Sequence, residues 1–120
     1  MPLDIITLGI GTLAQASSLS SSHLLYAPTT ATPLKTAIVH GLRLTNVSGG
    51  AAKVQGYFLK NGGTIGTDER RLVAIDLTIP AGYTVIDDDQ LTLGAGDGIY
   101  AFSDTASAID WVMSGAERPA

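Results

Sequence analysis

The densest set of ionisable side chains is Asp87-Asp88-Asp89, with Asp97 further along. Adjacent carboxylates repel, and a hard cation such as calcium would relieve that repulsion. The calcium-loop spacing Asp-x-Asp-x-Asp-Gly with a distal glutamate is absent, however. Aspartate is also an ordinary turn residue, because its carboxylate bonds to nearby backbone N–H groups. The run is read as a solvated turn, and no metal ligand is assigned. Asp76 and Asp110 lie within strand-like segments. Glycoside hydrolysis needs two carboxyls facing each other across a cleft, and nothing in the sequence ties this pair together.

The two histidines, His23 and His40, stand seventeen positions apart, and there is no cysteine. That makes a poor zinc set. Nucleophilic catalysis needs a Ser or Cys with a base and an orienting group, and no Gly-x-Ser-x-Gly elbow is present. His40 is read as a core or interface residue. Gly9-x-Gly11 is no phosphate loop, since no helix follows and no Lys-Ser/Thr completes it. No catalytic and no cofactor-binding residue is assigned, and the chain is expected not to be an enzyme. Tyr57, Phe58, Tyr83, Tyr100, Phe102 and Trp111 could form a sugar-stacking platform. Aromatics in a β-sandwich more often fill the core or an interface, and core is the reading for Trp111 and Phe58. Asn46-Val-Ser48 has the form of a glycosylation acceptor, which matters only for a secreted protein.

Composition narrows the partners. At 120 residues the chain has the length of one domain with a single two-layer core. Absence of cysteine excludes a disulfide framework. A net charge of −4, with seven scattered Lys and Arg, argues against a nucleic-acid surface. No apolar run approaches the roughly 20 residues of a membrane helix. The first residues, Met-Pro-Leu-Asp, have neither the basic nor the apolar region of a signal peptide, so use without secretion is expected. Charged residues make up only 15% and mean hydropathy is +0.26. Such a chain must hide surface, and cover by other subunits is the economical answer.

The elements that would hold these residues are strands. Residues 36–46 and 51–60 alternate in polarity on either side of Val47-Ser48-Gly49-Gly50, a β-hairpin signal. Ile38, Leu42 and Leu44 are taken as the core side of the first arm. Residues 70–79 read as one strong strand, with Val73, Ile75, Leu77 and Ile79 on one side. Shorter strands are expected at 23–28, 83–86, 91–93, 99–103 and 108–114, with a tail from 115. Val39, Leu72, Ala74 and Val112 fall opposite the main core parity and need cover. The expected fold is all-β, a two-sheet antiparallel β-sandwich of jelly-roll or Greek-key type with eight to nine short strands. Residues 1–22 are set apart as an N-terminal strand or arm followed by a flexible Ser-rich connector, and 23–120 as the sandwich domain. The arm, apolar at Ile5, Ile6, Leu8, Ile10 and Leu13, is expected to add to a sheet edge of its own subunit or of a neighbour.

One resemblance bears on function. Leu25-Tyr26-Ala-Pro28 stands where small β-sandwich virion proteins of tailed bacteriophages carry a Leu-Tyr-x-x-Pro segment. The stretch from Thr36 to Gly49 resembles their Val/Ile-rich strand ending in Thr-Asn-x-Ser/Thr-Gly. Leu77-Thr-Ile-Pro-Ala-Gly82, Leu93-Gly-Ala-Gly-Asp97 and Ser114-Gly-Ala-Glu117 match three further steps, so the likeness covers about residues 23–117. The Ser-rich connector and the longer loop at 29–33 depart from the pattern. The resemblance implies a non-enzymatic virion part, foremost a capsid decoration or cement protein on the head surface. It would be a homo-oligomer, trimer favoured, with the major capsid protein as partner. A neck, tail or fibre component is the alternative within that class. A carbohydrate-binding module is the alternative outside it, suggested by the aromatics and the Asp run.

Overall fold

The computed structural model describes residues 4–119. Among them ten strands follow one another: β1 (Asp4–Thr12), β2 (Leu24–Tyr26), β3 (Lys35–Asn46), β4 (Ala52–Leu59), β5 (Arg70–Arg71), β6 (Leu77–Ile79), β7 (Thr84–Asp87), β8 (Leu91–Leu93), β9 (Gly98–Ser103) and β10 (Ile109–Pro119). A single 3-10 turn at Ser21–His23 precedes β2. The first sheet runs β1-β10-β3-β7, with β8 also on β3; the second runs β2-β9-β4-β5, with β6 also on β4. All pairings between named strands are antiparallel. β7 and β8 occupy successive lengths of β3, and β5 and β6 successive lengths of β4. Taking each pair as one interrupted strand, successive strands alternate between two four-strand layers except that β5/β6 stays beside β4 in the second, which is the jelly roll. The expected all-β sandwich is the fold.

Several local expectations change. Residues 36–60 are not a hairpin, because β3 belongs to the first sheet and β4 to the second. Both flanks of β3 are taken by β10 and β7/β8, and both flanks of β4 by β9 and β5/β6, so the connection arches from one layer to the other. Asn46, fully buried, fixes the arch. Its Nδ2 donates to the carbonyls of Gly50 and Ile79, each at 2.8 Å, and its Oδ1 accepts from the Ser48 N–H and hydroxyl. That is the physical content of the Thr-Asn-x-Ser-Gly motif, and it makes Asn46 a structural residue.

The tenth strand arises because residues 70–79 form two strands. They are interrupted by a loop in which Asp76 takes a left-handed φ of 53°. The core parity of β3 also slips: Ala37 and Val39 are buried, then Leu42, Leu44 and Asn46, while Ile38 faces out. Gly41 pairs with Ser114 and Val39 with Gly115, leaving His40 as the bulged residue. Gly115 permits this, since a Cβ there would stand 2.1 Å from the Ile38 carbonyl oxygen. The expected tail from 115 is strand to Pro119, held between β1 and β3.

The N-terminal strand is internal. β1 pairs along β10, with a bulge at Leu8, and Leu13 is buried in the core. Nor is the Ser-rich connector a free tether. The Ala16 N–H donates to the Ser103 carbonyl and the Ser103 N–H to that of Ala14, so the connector is led across the outside of the second sheet. Between the sheets Leu44, Val54, Ile79, Leu93, Ile99, Ile109 and Met113 are fully buried, with Trp111 beside them and Phe58 packed against the cluster. Burying each large side chain contributes about 1.5–3 kcal/mol.

Candidate interaction surfaces

The side chains singled out for chemistry are dispersed. Among the described residues no group of three or more His, Asp or Glu is gathered as a cation site. Asp87 ends β7 and Asp88-Asp89 begin its join to β8, with Asp87 Oδ1 accepting from the Asp89 N–H at 3.1 Å. The carboxylate of Asp97 accepts from the N–H groups of Asn61 and Gly94. Asp110 lies on the outside of the first sheet, where its Oδ1 accepts from the Thr12 hydroxyl. Asp76 lines a cleft on the second sheet, so no cleft is shared between Asp76 and Asp110. The His23 ring is 4.9 Å from that of Phe102, and its Nδ1 is buried without a hydrogen-bond partner among the described residues. His40 is exposed at its bulge.

One ionisable cluster spans the two sheets. The Tyr26 hydroxyl on β2 donates to Glu117 on β10, whose other oxygen is 3.8 Å from Lys35 Nζ. Burial of the phenol, its hydrogen bond to Glu117 and that carboxylate's charge push the Tyr26 pKa far above its usual value.

The outside of the first sheet carries exposed aliphatic side chains in two rows, beside a polar row of Thr12, Asp110, Thr45 and Thr84. Cross-strand register sets Ile10, Val112, Arg43 and Ile86 in one row across four strands. A second row is Ile5, Ala116, Ile38 and Thr92. Between the rows lie Thr7, Ser114 and Gly41. Ile5 is 85% exposed, Ile10 70%, Ile86 54% and Val112 40%, which is unusual for aliphatic side chains standing together. Arg43 is the one charge in the two aliphatic rows. Of the four residues expected to need cover, only Val112 lies here. Val39 is core and Leu72 packs against it, while Ala74 is exposed in the β5–β6 loop. The β3 bulge hid the outward placing of Ile38 from parity counting.

The outside of the second sheet carries a polar cleft of about 400 Å³. Lys53, Gln55 and Tyr57, at alternate positions of β4, form its base beside Phe102 of β9. The connector from Ala16 to Leu19 makes one wall. The Arg71 guanidinium sits 5.0 Å over the Tyr57 ring and donates to Gln55 Oε1, and Gln55 Nε2 donates to Asp76 Oδ1 at 2.8 Å. The aromatics form no open platform on this face: Tyr57 and Phe102 are buried, and Leu19 and His23 stand beside them. Tyr83 is the exposed aromatic, on the other sheet's side, next to β7.

The sequence matches no family model and no curated protein. Among solved structures the chain is similar to one in the structure of infectious bursal disease virus Gx strain, with 13% identity and a TM-score of 0.49. The match covers 97% of this chain and 32% of that one, so the chain spans about a third of its length.

Proposed function

We propose that the chain is a non-enzymatic structural protein of a tailed-bacteriophage virion, a capsid decoration protein that binds the head surface as an oligomer. The observation that carries this reading is the set of exposed aliphatic side chains, Ile5, Ile10, Ile86 and Val112, on the outer face of the first sheet, taken with the sequence resemblance over residues 23–117. Nine residues of β1 at about 3.3 Å each span roughly 30 Å, and four strands at about 4.8 Å span roughly 19 Å. That is on the order of 550 Å², approaching the per-partner area of a small specific interface. Low charge density suits a surface that ends up covered. β1 closes on its own sheet, so attachment to a neighbour falls to this face and not to a swapped arm.

The test is to add purified protein to tailed-phage heads assembled without it and to measure bound copies per head. Sedimentation at micromolar concentration accompanies it. More than one subunit per particle and saturable binding to heads are expected, with trimers favoured. A clean monomer that also leaves the heads bare would overturn the reading.

A further inference from the structure

We propose that the cleft on the outside of the second sheet binds a neutral carbohydrate. Its volume lies within the range of about 300–1,000 Å³ of small-ligand sites, with room for one or two sugar rings. The polar groups are fixed before any ligand arrives. Gln55 is held at both ends, its oxygen by Arg71 and its nitrogen by Asp76, so its amide has one orientation. Arg71 is held in turn against the Tyr57 ring. Asp76 reaches Gln55 from a left-handed backbone conformation that few residues other than glycine adopt, though aspartate tolerates it better than most. Asp104, across the cleft, accepts the Lys53 backbone N–H through Oδ1.

What remains for a ligand is the second Gln55 N–H, further Arg71 N–H groups, the Lys53 ammonium, and the Oδ2 atoms of Asp76 and Asp104. Donors and acceptors are therefore interspersed. The two cations, Lys53 and Arg71, balance the two carboxylates, Asp76 and Asp104. A hydroxyl group both donates and accepts, so a polyol can satisfy such a set throughout. An anion would meet two carboxylates. An apolar ligand would strip water from four charges and return nothing. Leu19, with the little of Tyr57 and Phe102 that stays exposed, supplies the apolar part of the lining against which a sugar C–H group can rest. The cleft is on the opposite layer from the aliphatic rows, so sugar binding and assembly need not compete.

The experiment applies the full chain to a printed array of neutral, sialylated and sulfated glycans. Calorimetric titration follows with each glycan retained and with inorganic phosphate. Neutral glycans should be retained, and Gln55→Ala and Asp76→Asn should each weaken binding at least tenfold. Asn also tolerates the left-handed conformation, so Asp76→Asn should keep its melting temperature. Tyr83→Ala, away from the cleft, should bind as the native chain does. Retention of no glycan, retention of charged glycans alone, tighter binding of phosphate than of any sugar, or neutral binding unchanged in both cleft variants would each overturn the proposal. Head binding is measured separately, so failure here leaves the assembly reading standing.

Discussion

The Trp111 indole lies against the backbone of β1 at Gly9, where a methyl group would stand 2.6 Å from Cη2. At Gly11 the same group would stand 3.1 Å from Nε1. The first strand is thus a glycine-floored seat for the largest side chain of the core. Overpacking such a seat costs about 1–3 kcal/mol. Gly9→Ala should lose that much in urea unfolding, followed by fluorescence of the single tryptophan. Gly11→Ala should lose less. Gly41→Ala, with nothing within 4 Å of the added methyl, serves as the control. A Gly9→Ala chain as stable as the native one would show that the indole is not confined there.

Asn46→Ala should be costlier than any surface change. It strands the Ile79 carbonyl, leaves that of Gly50 to the Ser48 hydroxyl alone and removes the acceptor used twice by Ser48. Unpaired buried polar groups cost about 1–3 kcal/mol each, so a loss of roughly 2–4 kcal/mol is expected. Ser48→Ala should lose about 1 kcal/mol. Equal, small losses from both would mean that Asn46 does not hold the arch.

The pH dependence has two separable limbs. In the unfolded chain Tyr26 ionises near pH 10, whereas the folded chain keeps it neutral to higher pH. Its contribution is whole below about pH 10 and is lost as pH rises toward the folded value. Tyr26→Phe should flatten the alkaline fall of the denaturation midpoint. At the other end, the Lys53 N–H donated to Asp104 lowers that carboxyl's pKa from 3.8. This contribution is present above about pH 4 and is lost as pH falls further. Asp104→Asn should flatten the acid limb, modestly because the group is exposed. Parallel profiles for native and variant chains would refute either assignment.

Ile86→Glu and Ile10→Glu should leave the fold nearly unchanged, since exposed substitutions usually fall within about 0.5 kcal/mol. Each should shift sedimentation toward the monomer and reduce head decoration. Variants that associate and decorate as before would place the interface elsewhere on the molecule.

Much of the architecture is legible in the sequence because turn residues and alternation are local signals. The Pro80–Gly82 and Asp87–Gln90 boundaries, the long β3 and β4, and a core role for Trp111 all follow from them. What is not legible depends on distant partners. A hairpin and an arch share the same local pattern, and only the claims of β9 and β10 on β4 and β3 decide between them. The outward placing of Ile38 is invisible for a related reason. One bulge at His40 reverses which residues of β3 face outward, and alternation alone cannot reveal a bulge. The cleft joins β4, β5, β9 and the connector, so no spacing in the chain announces it.

The pairing of β1 with β10 also governs how the chain reaches this state. Thr12 and Asp110, in contact across the two strands, are 98 positions apart. Closing so large a loop must precede any return from the contacts it brings, which slows folding. During synthesis β1 emerges with Ile5, Ile6 and Ile10 exposed and has to wait for β10, which also flanks β3. Until then β1 and β3 lack their shared neighbour. A nascent chain halted before residue 109 would present two open, apolar sheet edges, and it is at this stage, not in the finished fold, that the protein is most exposed to aggregation.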